Sequence, residues 1–505
     1  MINSNLLPVI ALSSSALAAG IILAFGDRLR PNAREAVTFI AAIIKVICVF
    51  SLVPVVLSGI SPEFTIVEIA DGIDLKLRVD AAGLLFACIA SSLWVLTSLY
   101  SIGYMRGHKE KNQTGYFAAF AMCLCGATGI CFAANLMTFF IFYEILTVAT
   151  YPLVVHYRDD KAKASGRKYL LYTLTSGQMF FAGMVYIYFK CGTTDFAAGG
   201  FLGGSMENHE ALVCFLLMIA AGAVKAGVMP LHSWLPAAMV APTPVSALLH
   251  AVAVVKAGAF CVIRLVCYTF GPELSKDCGG ADVVLWMAAI TIIASSLIAI
   301  QKTNLKARLA YSTVGQLSYI VLGVCLLTPY GLIGAMYHMV AHAFLKITLF
   351  MCAGAIFVTT HKADITEMRG IGARMPATVT AFTVASLGIA GLPFLPAFMS
   401  KMNLIEGAIA AGKPVFIAVL VISALLSLTY LVPVSYIAFA KTEVNPEFSG
   451  ETFSIKRDAA PAMLIPLLAA LGIALILGIY PDFGARFMSL AQLAADQIFQ
   501  GGGAV

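Results

Sequence analysis

Residues 210–236 read Glu210-Ala-Leu-Val-Cys-Phe-Leu-Leu-Met-Ile-Ala-Ala-Gly-Ala-Val-Lys225-Ala-Gly-Val-Met-Pro230-Leu-His-Ser-Trp-Leu-Pro236. No charge interrupts the run from Ala211 to Val224, and then Lys225 stands five residues before Pro230. A bilayer span needs about 20 mostly apolar residues. An ionisable group inside one is costly unless it is paired or hydrated, so it marks function by default. Proline lacks an N–H and frees backbone groups, and freed groups at membrane depth need water or protein partners. The stretch therefore predicts a membrane helix broken beside a buried lysine. A second stretch echoes it. Ala390-Gly391-Leu392-Pro393, followed by Leu395-Pro396-Ala397-Phe398-Met399 and Lys401, parallels Ala226-Gly227-Val228-Met229-Pro230, followed by Leu235-Pro236-Ala237-Ala238-Met239.

Composition supports the membrane reading. Of 505 residues, 60% are hydrophobic and 11% charged. Soluble chains carry roughly 25% charged residues. The twelve cysteines are scattered, with Cys123 and Cys125 the closest pair. That spacing offers no iron–sulfur ligand set and no disulfide framework; buried apolar packing accounts for them. No cofactor is expected. Ala16-Leu17-Ala18 mimics a cleavage site, but no basic residue precedes the first apolar run, so a retained first span is expected.

Fourteen apolar segments fall at about 8–25, 36–58, 81–104, 115–132, 133–156, 168–190, 210–230, 243–268, 283–301, 312–329, 331–360, 376–408, 415–440 and 461–481. Residues 62–80 alternate around Asp71-Gly72, a hairpin signal. Phe483, Phe487, Leu490, Ala494 and Ile498 share one face, which predicts an amphipathic helix on the membrane surface. Sorted by connection, twenty lysines and arginines fall on one side and six on the other. The positive-inside rule then makes the rich side cytoplasmic and places both termini outside. The two broken spans are the seventh and the twelfth. An odd offset reverses orientation, so any repeat is an inverted one, as in transporter architectures.

The ionisable residues inside the spans carry the chemistry. Glu144 lies mid-span 5, Lys225 in span 7, Lys256 mid-span 8, Lys346 in span 11 and Lys401 in span 12. A lysine out of water releases its proton more readily than one in water. A nearby Glu144 would change how tightly Lys225 holds its proton; a static ion pair joining two helices is the alternative. His338, His342 and Lys346 recur every four residues on one helix face, and His250 precedes Lys256 by six. Histidine titrates near neutrality and suits a relay. Packing histidines, a metal site on the HxxxH spacing, and haem are the other readings. Lys45 and Arg264 lie near span ends, where snorkelling explains them. Asp159 and Asp160 sit in a basic loop, and Lys306 sits in the connection before span 10. These three are candidates for a proton-uptake role, against a solvated charged loop.

Several motifs now resemble a known family. Lys225 through Pro236, Ala241-Pro-Thr-Pro-Val-Ser-Ala-Leu-Leu-His250, Leu305-Lys306-Ala-Arg-Leu-Ala-Tyr-Ser312, His338-Met-Val-Ala-His342-Ala-Phe-Leu-Lys346 and Gly391 through Lys401 are similar to the antiporter-like subunits of respiratory complex I and of Mrp-type cation/proton antiporters. The resemblance covers roughly residues 80–440. It implies an all-α membrane protein of about 14 transmembrane helices, with two inverted five-helix repeats containing broken helices. It assigns proton transfer to Glu144, Lys225, Lys256, Lys346 and Lys401, with His250, His338 and His342 as relay. It divides the chain into spans 1–3 (1–110), a first repeat (111–270), a second (271–442) and span 14 with the amphipathic helix (443–505). The expected partners are other membrane subunits, with protons and sodium as candidate ions, in a bacterial or archaeal cytoplasmic membrane. The end soon after span 14 suggests the D-type member of the Mrp antiporter subunits. A proton-pumping subunit of an NADH:quinone oxidoreductase or membrane hydrogenase is the alternative, followed by a stand-alone permease. No redox chemistry is expected in this chain.

Overall fold

The computed structural model describes residues 4–70, 73–440 and 458–500. Asp71-Gly72, and Lys441, Lys456 and Arg457 from the charge count, lie outside the described residues. Helices dominate: α1 Leu7–Phe25, α2 Pro31–Ser51, α3 Ala81–Gly107, α4 Gln113–Phe132, α5 Leu136–Val154, α6 Asp160–Cys191, α7 Asn208–Ala226, α8 Thr243–Thr269, α9 Gly280–Gln301, α10 Leu305–Cys325, α11 Pro329–Thr360, α12 Pro376–Ala390, α13 Pro396–Ala410, α14 Val415–Phe439, α15 Pro461–Ile479 and α16 Phe487–Phe499. Two strands, β1 Glu63–Ala70 and β2 Ile73–Arg78, pair antiparallel.

Among the described residues, twelve helices are long and apolar enough to cross a membrane. The difference from the fourteen expected segments has a physical cause. The α10 helix carries Lys306, Arg308, Gln316 and several hydroxyls, so it is less apolar. The segment at 376–408 is two short helices separated by a turn.

Local chemistry sets the helix ends. Thr328 caps α11 by accepting from the Gly331 N–H at 3.2 Å, with Pro329 in the first turn. Such a cap satisfies an N–H that the helix cannot pair itself. The α7 helix ends at Gly227 (φ +75°) and α12 at Gly391 (φ +93°). Both adopt the left-handed backbone that favours glycine.

The α11 helix lies at the centre, packed by α3, α8, α10, α12, α13, α15 and α16. The α8 helix is buried along its whole length, and nearly all of α11 is buried too. Polar groups on these two helices are therefore walled by protein rather than lipid. The α16 helix buries Phe487, Leu490, Ala494 and Ile498. That face covers α3 and α11, so it is spent on the bundle and not free to lie in lipid.

Candidate functional site

The seventh span breaks where the prolines predict. Lys225 sits in the last turn of α7, fully buried. Its ammonium donates to the Tyr143 carbonyl at 2.7 Å and lies 3.2 Å from the Tyr143 ring centroid. A cation over an aromatic face gains about 2 kcal/mol when water is excluded. Tyr143 is itself fixed by its hydroxyl, which donates to the Ala221 carbonyl at 2.7 Å. Glu144 is the next residue, yet both of its carboxylate oxygens are buried without a hydrogen-bond partner. Among the described residues, no ion pair joins Glu144 to Lys225. Gly177 of α6 leaves the room for this carboxylate, because a Cβ there would collide with Glu144 Oε1.

The α8 helix contains two π-helical stretches, Leu248–Val252 and Arg264–Thr269. Such π segments occur often at functional sites. His250 lies in the first, stacked on Phe350 with centroids 4.8 Å apart. Both of its ring nitrogens are buried without a partner. Lys256, two turns on, donates to the His250 carbonyl at 3.2 Å and is hydrogen-bonded to His342 Nδ1. Whichever of these two groups carries the proton, the other can accept it. Gly258 lets α7 and α8 touch here, since a Cβ would run into the backbone of Lys225 and Ala226.

From His342 the chain of contacts continues toward the second break. The His342 and His338 rings are 6.3 Å apart. His338 Nε2 lies 3.0 Å from Gln316 Oε1, and Nδ1 lies 2.8 Å from Ser400 Oγ. Ser400 also donates to the Ala397 carbonyl at 2.9 Å. With that hydroxyl turned to Ala397, both neighbours of His338 accept, which suits a charged imidazolium. With the hydroxyl turned to Nδ1, the neutral ring is satisfied instead. Tyr319 stacks on His338 at 5.2 Å, and Lys401 lies 5.2 Å from the same Tyr319 ring. Lys401 Nζ donates to the Ile389 and Ala390 carbonyls at 3.0 and 2.7 Å. These are C-terminal carbonyls of a half-helix, where the dipole favours a cation.

Lys346 branches from this face. Its ammonium donates to Ser312 Oγ at 2.6 Å, and Tyr430 donates to the same oxygen at 2.9 Å. Among the described residues no carboxylate pairs with Lys225, Lys256, Lys346 or Lys401; carbonyls, a hydroxyl, an imidazole and aromatic faces hold them. Ser312, Gln316, Tyr319, Ser400 and Tyr430 were not singled out from the sequence. Single polar residues in a span give no periodic signal, and only their meeting around the histidines marks them. Among the described residues, no three His, Cys, Asp or Glu side chains converge as a metal-binding set.

The loop candidates separate. Asp159 caps α6, accepting from the Ala162 N–H at 2.6 Å. Asp160 is exposed and lies 3.7 Å from Lys163. Lys306 is half-buried, donates to the Ala241 carbonyl at 2.8 Å and lines a cavity of about 160 Å³. Two expectations need correction. Lys45 does not snorkel: it is 1% exposed and donates to Ser15, Thr128 and the Leu124 carbonyl. Arg264 is also 1% exposed and forms a buried bidentate pair with Asp80 of the β2–α3 connection. Their partners lie on other elements of the fold, so nearness to a span end did not decide where either side chain goes.

Residues 133–427 match the family described as NADH:quinone oxidoreductase/Mrp antiporter, TM. The chain belongs to this family. Within it, NADH-quinone oxidoreductase subunit N of Desulforudis audaxviator is 31% identical over 420 residues, covering 81% of this chain and 83% of that protein. The A/B component of a probable K(+)/H(+) antiporter of Rhizobium meliloti is 32% identical over 378 residues, which is 73% of this chain. The chain spans only 37% of that relative's length. In fold, the chain superposes on one chain of the Mrp complex from Dietzia sp. DQ12-45-1b with a TM-score of 0.85 at 20% identity, covering 99% of this chain and 98% of that one. It also superposes on a chain of an archaeal membrane-bound sulfane sulfur reductase with a TM-score of 0.84 at 24% identity, covering 97% of each. It is thus an all-α, multi-pass membrane protein of this family.

Proposed function

We propose that this chain is a proton-translocating, antiporter-like subunit of a multisubunit membrane complex. The observation that carries the reading is the contact series Lys256–His342–His338–Tyr319–Lys401, buried across the centre of the bundle. Protons would be loaded near Lys225, pass to Lys256 and the His342–His338 face, and leave through Lys401. Lys346 and its Ser312–Tyr430 hydroxyls form a side branch. Glu144, buried without a partner, is placed to alter Lys225 when a conformational change or a neighbouring subunit brings charge to it.

The two broken helices support two inverted five-helix units at about 111–270 and 271–442. The relatives' names favour partners that are other membrane subunits of an Mrp-type antiporter or a respiratory complex. We favour the D-type Mrp role within a prokaryotic cytoplasmic membrane, with both termini outside. The proton-pumping subunit of a quinone oxidoreductase or hydrogenase is the second reading, favoured by the quinone oxidoreductase relative from Desulforudis.

Lys225→Ala and Lys401→Ala in the assembled complex test the route. Coupled proton transport should be lost in each, with assembly intact. Transport that survives both substitutions contradicts the proposal.

A further inference from the structure

One group of titratable residues lies apart from the lysine–histidine series. Glu110 follows α3, and His156 and Tyr157 follow α5, in two connections on the side where basic residues gather. Glu110 belongs to a loop, yet its side chain is only 7% exposed. His108 Nδ1 lies 3.0 Å from Glu110 Oε1, and Tyr157 donates to the same oxygen at 2.8 Å. His156 Nε2 lies 3.6 Å from Oε2. One carboxylate thus faces two imidazoles and a phenol. Tyr104 and Tyr116 are the further titratable neighbours, Tyr116 edge-on to His156 at 5.9 Å, and His108 is sandwiched by Tyr104 and Phe357 with His361 beyond.

Two cavities flank this cluster. An outer one of about 150 Å³ is lined by His156, Arg158, Tyr151 and Asn112. An inner one of about 160 Å³ is lined by Tyr157, Tyr104, Thr243, Asn304, Lys306 and Lys362. Each is large enough to hold several waters, and the polar side chains among its lining residues supply partners for them. His156 opens on the first cavity and Tyr157 on the second, with Glu110 between. The inner cavity reaches Thr243, the first residue of α8, one to two turns before the His250 π segment.

We propose that His156, Glu110 and Tyr157, with His108 beside them, form a proton-uptake relay between these two cavities. It rests on the proton-translocating reading above. A water proton binds an imidazole of His156 or His108. The imidazolium N–H passes its proton to a Glu110 oxygen, after a small rotation or through a water in the case of His156. The Glu110 carboxyl then gives its proton to the Tyr157 oxygen while Tyr157 releases its own proton to water in the inner cavity. The phenol turns back and the carboxylate is restored, so one proton crosses and no group is consumed. Burial works to raise the Glu110 carboxyl. The hydrogen bonds from His156 and Tyr157, and the charges of His156 and His108, outweigh it and hold the group below the ordinary carboxylate value.

The test uses the assembled complex in inside-out vesicles, with initial proton uptake measured from acid to alkaline external pH. Glu110→Gln, His156→Gln and Tyr157→Phe are compared with wild type, with Lys256→Ala as reference. The relay predicts near-normal uptake at acid pH and a loss at alkaline pH. The alkaline limb should move by about one pH unit, a roughly tenfold change in proton supply. The Glu110→Gln and Tyr157→Phe losses should not add. Profiles that overlay wild type, or a uniform loss at every pH, overturn the relay. If Lys256→Ala abolishes uptake while Glu110→Gln overlays wild type, only the relay fails. If Lys256→Ala transports normally, the underlying reading fails as well.

Discussion

The Lys225 ammonium rests on the Tyr143 ring, 3.2 Å from its centroid, and donates to the Tyr143 carbonyl rather than to the neighbouring Glu144. The geometry is an aromatic cradle with an uncommitted carboxylate beside it, not the static Glu144–Lys225 ion pair held as the alternative. Tyr143→Leu removes the ring and about 2 kcal/mol of support for the cation, and should slow transport by more than tenfold. Tyr143→Phe keeps the ring and gives up the bond to Ala221, so it should stay within a few-fold of wild type. Equal losses in the two variants would show that the hydroxyl, not the ring, matters.

Gly391 answers for the other broken helix. Its φ of +93° excludes a side chain without strain of about 1–2 kcal/mol, and a Cβ there would lie 2.8 Å from Lys401 Cδ. Gly391→Ala should therefore push Lys401 off the Ile389 and Ala390 carbonyls. Transport should fall as far as in Lys401→Ala while the complex still assembles. Proton flux and subunit stoichiometry, measured together, check this.

The helices were legible because hydropathy and charge sort themselves between lipid and water along the chain. The breaks were legible because proline has a definite effect on a helix. The hydroxyls and the glutamine were not. Ser400, Gln316 and Tyr430 look ordinary in a span, and only the fold brings them to His338 and Ser312. Arg264 was misjudged for a related reason: Asp80, its counter-ion, lies 184 residues away in sequence.

That pair predicts a stability effect rather than a transport effect. Asp80→Asn leaves Arg264 charged and buried among Phe196, Phe260 and Tyr268. Breaking one side of a buried pair costs about 3–5 kcal/mol. The purified variant should melt well below wild type, and Asp80→Leu with Arg264→Met should recover most of the loss. A wild-type melting curve for Asp80→Asn contradicts the assignment.

The lowered Glu110 carboxyl predicts an acid effect. A carboxyl held below its unfolded value stabilises the fold above that value, and the contribution is lost as pH falls through the lowered one. Wild type should therefore melt higher than Glu110→Gln at neutral pH, and the gap should close in acid. A gap that is constant with pH would assign it to packing instead.

The central claim is that protons pass between Lys256 and His338 through His342. The direct measurement is proton flux through the complex in sealed vesicles with His342→Phe, which keeps a ring in the space and removes both nitrogens. Losing a positioned proton-transfer group should lower flux by about 100-fold or more, with assembly and melting close to wild type. Flux at the wild-type rate would contradict the account.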